Sequence, residues 1–130
     1  MTTKNMAYDH PAYLARYAAS LKCPAVAVAT SAGKFVAFAA MKVKAIKGVV
    51  DIAGTSASGA LYTVLKNATA IATCTMGTSV AGIAVTVPIA EQTLAAGDFI
   101  DFKTVAANSA TMAASFVLEY ELVPGADVTA

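Results

Sequence analysis

The chain has 130 residues, 58% hydrophobic and 13% charged, with nine basic and eight acidic residues and a net charge of +1. That length is one domain, able to bury a core unaided, and so even a charge balance excludes electrostatic nucleic-acid binding, which needs a concentrated basic patch. Charge this sparse, against about 25% in an ordinary soluble domain, leaves apolar surface of the kind that interfaces cover, so an oligomer or a place in a larger assembly is expected.

Residues 1–8 read as an arm, polar at first and then aromatic at Tyr8. Asp9-His10-Pro11 is a helix-start signal, with an Asp cap and a proline in the first turn, where its missing N–H costs nothing. Leu14, Tyr17, Ala18 and Leu21 follow at helical spacing, which predicts one short helix over 10–22, stopped by Pro24. From there the pattern is β. Val26 and Val28 alternate with Ala, and Thr30 to Gly33 reads as a turn. Lys34 to Ile52 reads as one long stretch, in which Met41 and Val43 oppose Lys42 and Lys44 before the phase flips at Ala45. A flip of that kind implies a bulge or a strand that changes sheet, with Gly48 as a bend.

After the Gly54–Gly59 loop, Leu61 to Lys66 and Ala68 to Thr75 are two further strands. Val80 to Ile89 is another, with Pro88 marking a sheet edge or strand end. Asn67 to Ala90 carries no charge and is long enough to cross a bilayer. Its threonines, glycines and proline, and a turn signal at Met76–Ser79, instead predict two buried strands. Last comes the clearest periodicity. Ile100 and Phe102 oppose Asp101 and Lys103, and Met112, Ala114, Phe116, Leu118, Tyr120 and Leu122 share one face against Ser115, Val117, Glu119 and Glu121. The Gly97-Asp98 turn leads in, and the polar connection between the two runs predicts that they form a hairpin. Residues 124–130 read as a tail, leaving 9–123 as the domain.

About eight strands with short Gly/Ser/Thr/Asn turns and no βαβ alternation predict an all-β, antiparallel two-sheet sandwich after the N-terminal helix. The jelly roll is the best match. An immunoglobulin-like sandwich is the alternative, weakened by the absence of Trp.

No residue pattern supplies chemistry. His10 is the only histidine, so a hydrolytic triad has no base in reach of a nucleophile. The Gly54–Gly59 loop has the spacing of a phosphate loop but is followed by Ala60-Leu61 instead of Lys-Ser/Thr. Glu119 and Glu121 are the nearest thing to a carboxylate pair, yet they stand on the outward side of an alternating strand and not across a cleft. One His and two distant cysteines lack metal-ligand spacing. Cys23 and Cys74 read as buried free thiols. Asn67-Ala68-Thr69 matches a glycosylation acceptor, but the first twenty residues lack the apolar core of a secretion signal. No catalytic residue, cofactor or metal is therefore assigned.

Leu94-Ala-Ala-Gly-Asp-Phe-Ile followed by the alternating Phe116-Val-Leu-Glu-Tyr-Glu-Leu resembles the last two strands of small capsid decoration (cement) proteins of tailed bacteriophages. The short length, Ala/Thr/Val-rich composition and N-terminal arm look like that class as well. The resemblance implies a homotrimer bound to the major capsid protein on the outside of the phage head. Such a protein is made in the host cytoplasm and has no nucleic-acid or membrane partner. It carries over no catalytic residue. Tyr8, Tyr13, Arg16 and Tyr17 are the candidate capsid or subunit contacts, because Tyr and Arg favour interface anchors. A receptor- or glycan-binding sandwich module is the alternative function.

Overall fold

The computed structural model describes residues 15–25, 29–52, 60–77, 82, 84–105 and 113–123. Nine strands lie among them: β1 (Arg16–Cys23), β2 (Ser31–Val36), β3 (Met41–Ile52), β4 (Ala60–Lys66), β5 (Thr69–Gly77), β6 (Ala84–Val87), β7 (Gln92–Leu94), β8 (Phe99–Val105) and β9 (Ala113–Leu122). They form two wholly antiparallel sheets. One runs β1-β9-β3-β6, with β7 also paired to β3, and the other runs β2-β8-β4-β5. The protein is an all-β sandwich, as the alternation and the spacing of turns predict.

The predicted helix over 10–22 is not what Arg16–Cys23 forms, and residues 10–14 lie outside the described set. Arg16–Cys23 is an edge strand in unbroken register with β9, from Arg16 opposite Glu121 to Cys23 opposite Ala114. Its burial alternates: Tyr17, Ala19 and Leu21 pack against the core and Cys23 is fully buried, while Arg16, Ala18, Ser20 and Lys22 are exposed. The same residues fit a period of 3.6 only because alanine is neutral to both patterns, and an eight-pair ladder with β9 outweighs local propensity.

The opening of β2 corrects a second reading, since Ser31–Gly33 is strand with a bulge, not a turn. The stretch from Lys34 to Ile52 is also two strands in opposite sheets, joined by 37–40. Within β3 the phase flip is a bulge, as expected. Val43 pairs with Tyr120 and Ala45 with Glu119, so Lys44 is the extra residue. Met41, Val43, Ile46 and Val50 are thereby all buried. A second bulge at Asp51 turns Ile52 outward, to 55% exposure.

β8 and β9 are not a hairpin. Each keeps the predicted inward face, but they belong to opposite sheets and meet through side chains. Phe102 of β8 stacks on Phe116 of β9 at 4.3 Å, and Tyr62 of β4 meets Phe116 edge-on at 5.6 Å. All three are buried, and around them pack Met41, Val43, Ile46, Val64, Leu94, Ile100 and Leu118. Burying a side chain of this size stabilises by about 1.5–3 kcal/mol, so this aromatic centre holds the two sheets face to face. β6 lies at a sheet edge and ends at Val87, immediately before Pro88, as that proline predicts.

Candidate functional site

Arg16 projects from the outer face of β1, and the β1–β9 register sets it beside the two glutamates of β9. Its guanidinium lies 3.6 Å from Glu119 and 3.3 Å from Glu121. Lys44, brought out by its bulge, reaches Glu121 at 3.7 Å and hydrogen-bonds Glu91, which Lys42 approaches at 3.7 Å. Three cations and three carboxylates thus alternate across β1, β9 and β3. The hydrogen bond from Lys44 is the main cause holding the Glu91 carboxyl below its usual range, and the same bond raises Lys44. The side chains are 26–53% exposed, so solvent screens each pair and it adds little to stability. Glu119 and Glu121 are therefore neutralised surface residues. A glycosidase acid would sit in an apolar pocket facing a second carboxylate across a cleft.

Tyr17 is half-buried. Its ring stacks on Tyr120 at 5.6 Å, and Phe35 at 5.8 Å and Phe38 at 6.2 Å complete an aromatic rim at the β2–β3 end of the sandwich. Phe38 is 67% exposed and Val36, two positions before it, 58%, the two highest values among the exposed large hydrophobic residues described. Of the four predicted contact residues, then, Arg16 and Tyr17 are consecutive on β1 but on opposite faces, and Tyr8 and Tyr13 lie outside the described residues. Sequence reading passed over Val36 and Phe38. Their signal was available: Phe35 to Ala40 is an apolar run in both phases of a strand, so one phase had to face out.

The Leu94–Asp98 turn is built by local chemistry. Gly97 sits at φ +91°, and the Asp98 N–H donates to the Ala95 carbonyl at 3.0 Å. The Asp98 carboxylate accepts the Ala95 N–H at 2.9 Å and an Asn67 amide N–H at 3.3 Å, and these bonds, the Ala95 one foremost, hold its pKa below the ordinary value. Asn67, itself at φ +55° in the β4–β5 turn, accepts the Phe99 N–H at 3.1 Å. The amide of the glycosylation sequon is therefore engaged in joining two turns. Gly97 N–H donates to the Ala37 carbonyl, and Ala37 N–H donates to the Asp98 carbonyl, both at 2.8 Å. One Gly-Asp turn thus fastens the ends of three connections.

A shallow apolar depression of about 240 Å³ lies on the outer face of the larger sheet, among Ser20, Lys47, Val49, Ser115 and Val117. Lys47 is the only titratable group lining it. Beside it the Ser115 hydroxyl donates to Asp51 at 2.6 Å, a serine with a carboxylate and no histidine, which lacks the base of a nucleophilic site. Among the described residues no three His, Cys, Asp or Glu side chains group as metal ligands, and no helix is long and apolar enough to cross a membrane. Cys23 and Cys74 are free and buried. Desolvation, aided for Cys23 by Asp101 and Cys74, raises their pKa to about 12 and about 11, the reverse of what a reactive thiol needs. No protein-family model matches this chain, and no curated protein matches it either.

Proposed function

We propose that this chain is a structural virion protein of jelly-roll type, binding the outside of an assembled phage head as an oligomer and stabilising the capsid lattice. The observation that carries the proposal is the order of strand pairing. β4 pairs β5, β3 pairs β6 and β7, β2 pairs β8, and β1 pairs β9, so the chain is one long hairpin whose arms pair in nested order. The hairpin is folded over so that β3 also meets β9 and β4 meets β8. We read that nested pairing as a jelly roll, a fold used for viral capsid domains, since an immunoglobulin-like sandwich does not nest its pairs. The Leu94–Asp98 turn supports the resemblance to cement proteins at the residue level. The described surface offers docking chemistry in the aromatic rim of Tyr17, Phe35, Phe38 and Tyr120.

The mechanism is mass action. A subunit with affinity for the expanded lattice alone stabilises that lattice by its binding free energy. The trimer, the major capsid protein as partner and the location on the head exterior follow from the resemblance. Arg16, Tyr17 and Phe38 are the contacts to test first, since aromatic and arginine anchors dominate interface energies. The test is a map of particles from the native source, together with co-sedimentation of the purified chain with expanded heads. Density on the head exterior and saturable binding are expected, with Phe38→Ala weakening it by roughly tenfold or more. A chain that is missing from particles and has no affinity for them overturns the reading.

One observation favours a second reading, a receptor- or glycan-binding module, because Phe38 presents an exposed ring of the kind that stacks on sugars. Binding of Phe38-dependent character to a glycan array, with none to heads, would select it.

A further inference from the structure

A sheet edge presents unpaired backbone N–H and C=O groups to any passing strand, and soluble proteins blunt such edges with charge, proline, bulges or brevity. The two sheets have four edges. β1 carries Arg16 and Lys22 on its exposed face. β2 is six residues long, bulged at Ala32 and marked by Lys34. The edge opposite β1 is split into β6 and β7, of four and three residues, with Pro88 and Glu91 between them. β5 carries neither charge nor proline on its open side, and its bulges fall at Ile71 and Met76. It is nine residues long, Thr-Ala-Ile-Ala-Thr-Cys-Thr-Met-Gly, without charge or proline, and it pairs only with β4 among the described strands. It also lies within the run from Asn67 to Ala90 that carries no charged residue. Its two irregularities against β4 fall towards the ends, leaving Ala72 to Thr75 in continuous register with Val64 to Leu61.

We propose that the free edge of β5 pairs antiparallel with β5 of a second copy, about a two-fold axis near Thr73, continuing the four-stranded sheet across the subunit boundary. A second copy is the occupant because the edge is complementary to itself. Antiparallel self-pairing opposes no like charges, which would oppose each other across any charged edge. The three blunted edges leave β5 no better partner elsewhere on the molecule, and a contact between identical patches closes as a pair. Thr73 is exposed and already faces Thr63 across the β4–β5 ladder, so the junction extends a row of threonines that favours cross-strand pairing. The junction adds a two-fold contact to the head-binding oligomer, so with the trimer that the resemblance implies it gives a hexamer.

Sedimentation of the full chain tests it. The wild type is expected at an even multiple of 13.1 kDa, Thr73→Lys at half the wild-type mass with an unchanged far-UV spectrum, and an equimolar mixture of Thr73→Lys and Thr73→Glu back at the full mass. Ala18→Lys, on the exposed face of the β1 edge, should leave the mass unchanged. Amide exchange needs no variant: the amides of 70–75 that point away from β4 should lose protection on dilution through dissociation, while those facing β4 and those of β9 keep theirs. A monomeric or trimeric wild type, a folded Thr73→Lys at the wild-type mass, or protection of those outward β5 amides independent of concentration overturns the proposal. A trimer that binds heads would remove the β5 junction and leave the head-binding reading standing; a dimer without affinity for heads would do the reverse.

Discussion

Gly48 shows how much one missing methyl can decide. It lies opposite Phe116 in the β3–β9 ladder, and a Cβ at its position would stand 2.7 Å from the ring and 3.1 Å from the Ser115 carbonyl oxygen. The ring cannot yield, because it is clamped by Phe102 on one side and Tyr62 on another. Gly48→Ala should therefore cost about 1–3 kcal/mol, read as a lower urea midpoint. The loss should shrink when Phe116 is also replaced by Leu, since contacting sites couple; equal losses in both backgrounds would show that the ring is not the obstacle. The sequence predicts a bend at this glycine, but the glycine is needed for clearance beneath an aromatic ring that arrives from a strand far along the chain. Gly97 and Asp98 differ in this respect. Their turn is closed by bonds within four residues, so it was legible. Its docking on Asn67, a long-range contact, was not.

At the scale of elements, strong alternation survives and weak alternation does not. β9 and β8 each place their predicted faces inward because large residues recur at every second position, and no helical stripe competes with them. β1 has only two bulky apolar residues, Tyr17 and Leu21, against Ala18, Ala19 and Ser20, so its state was settled by the ladder it joins. That makes it testable. Ala18 is exposed on β1 opposite Glu119, and Ala18→Thr exchanges a helix former for a strand former. In a strand the change should stabilise by several tenths up to about 1 kcal/mol, read as a raised urea midpoint. A destabilisation of similar size would indicate a helical segment. The β8–β9 relation failed for another reason. A connection length fits a hairpin or a crossing between sheets equally well, and only the two facing rings, Phe102 and Phe116, decide between them.

For the whole molecule, stability resides in a dry interior that includes ionisable groups. Cys23 and Cys74 ionise near 9.0 when exposed but only at about 12 and about 11 in the fold, chiefly because burial disfavours the thiolate. Burial also pushes the Tyr62 hydroxyl up. The folded values lie above the unfolded ones, so this contribution is fully present below pH 9 and declines as pH rises through 11 and 12. Unfolding midpoints in urea should be level from pH 7 to 9 and fall above that. Replacing both cysteines by alanine should make the fall less steep, and an identical fall in the double variant would remove the thiols from the account. The exposed ion pairs around Arg16 and Lys44 have little part in this balance, since solvent and salt screen them.

The sequence by itself determined the class of fold, the inward faces of β8 and β9, the bulge in β3, the Gly-Asp turn and the poverty of catalytic groups. Each of these depends on residues within a few positions of one another or on composition, and physics of that range is written directly in the chain. Tertiary structure alone decided that Arg16–Cys23 is a strand, that β8 and β9 lie in opposite sheets, that Glu119 and Glu121 are neutralised by Arg16 and Lys44, and that β5 pairs only with β4 among the described strands. These depend on which distant segments share a ladder, and pairing is chosen by the burial of the whole apolar surface at once rather than by any local preference.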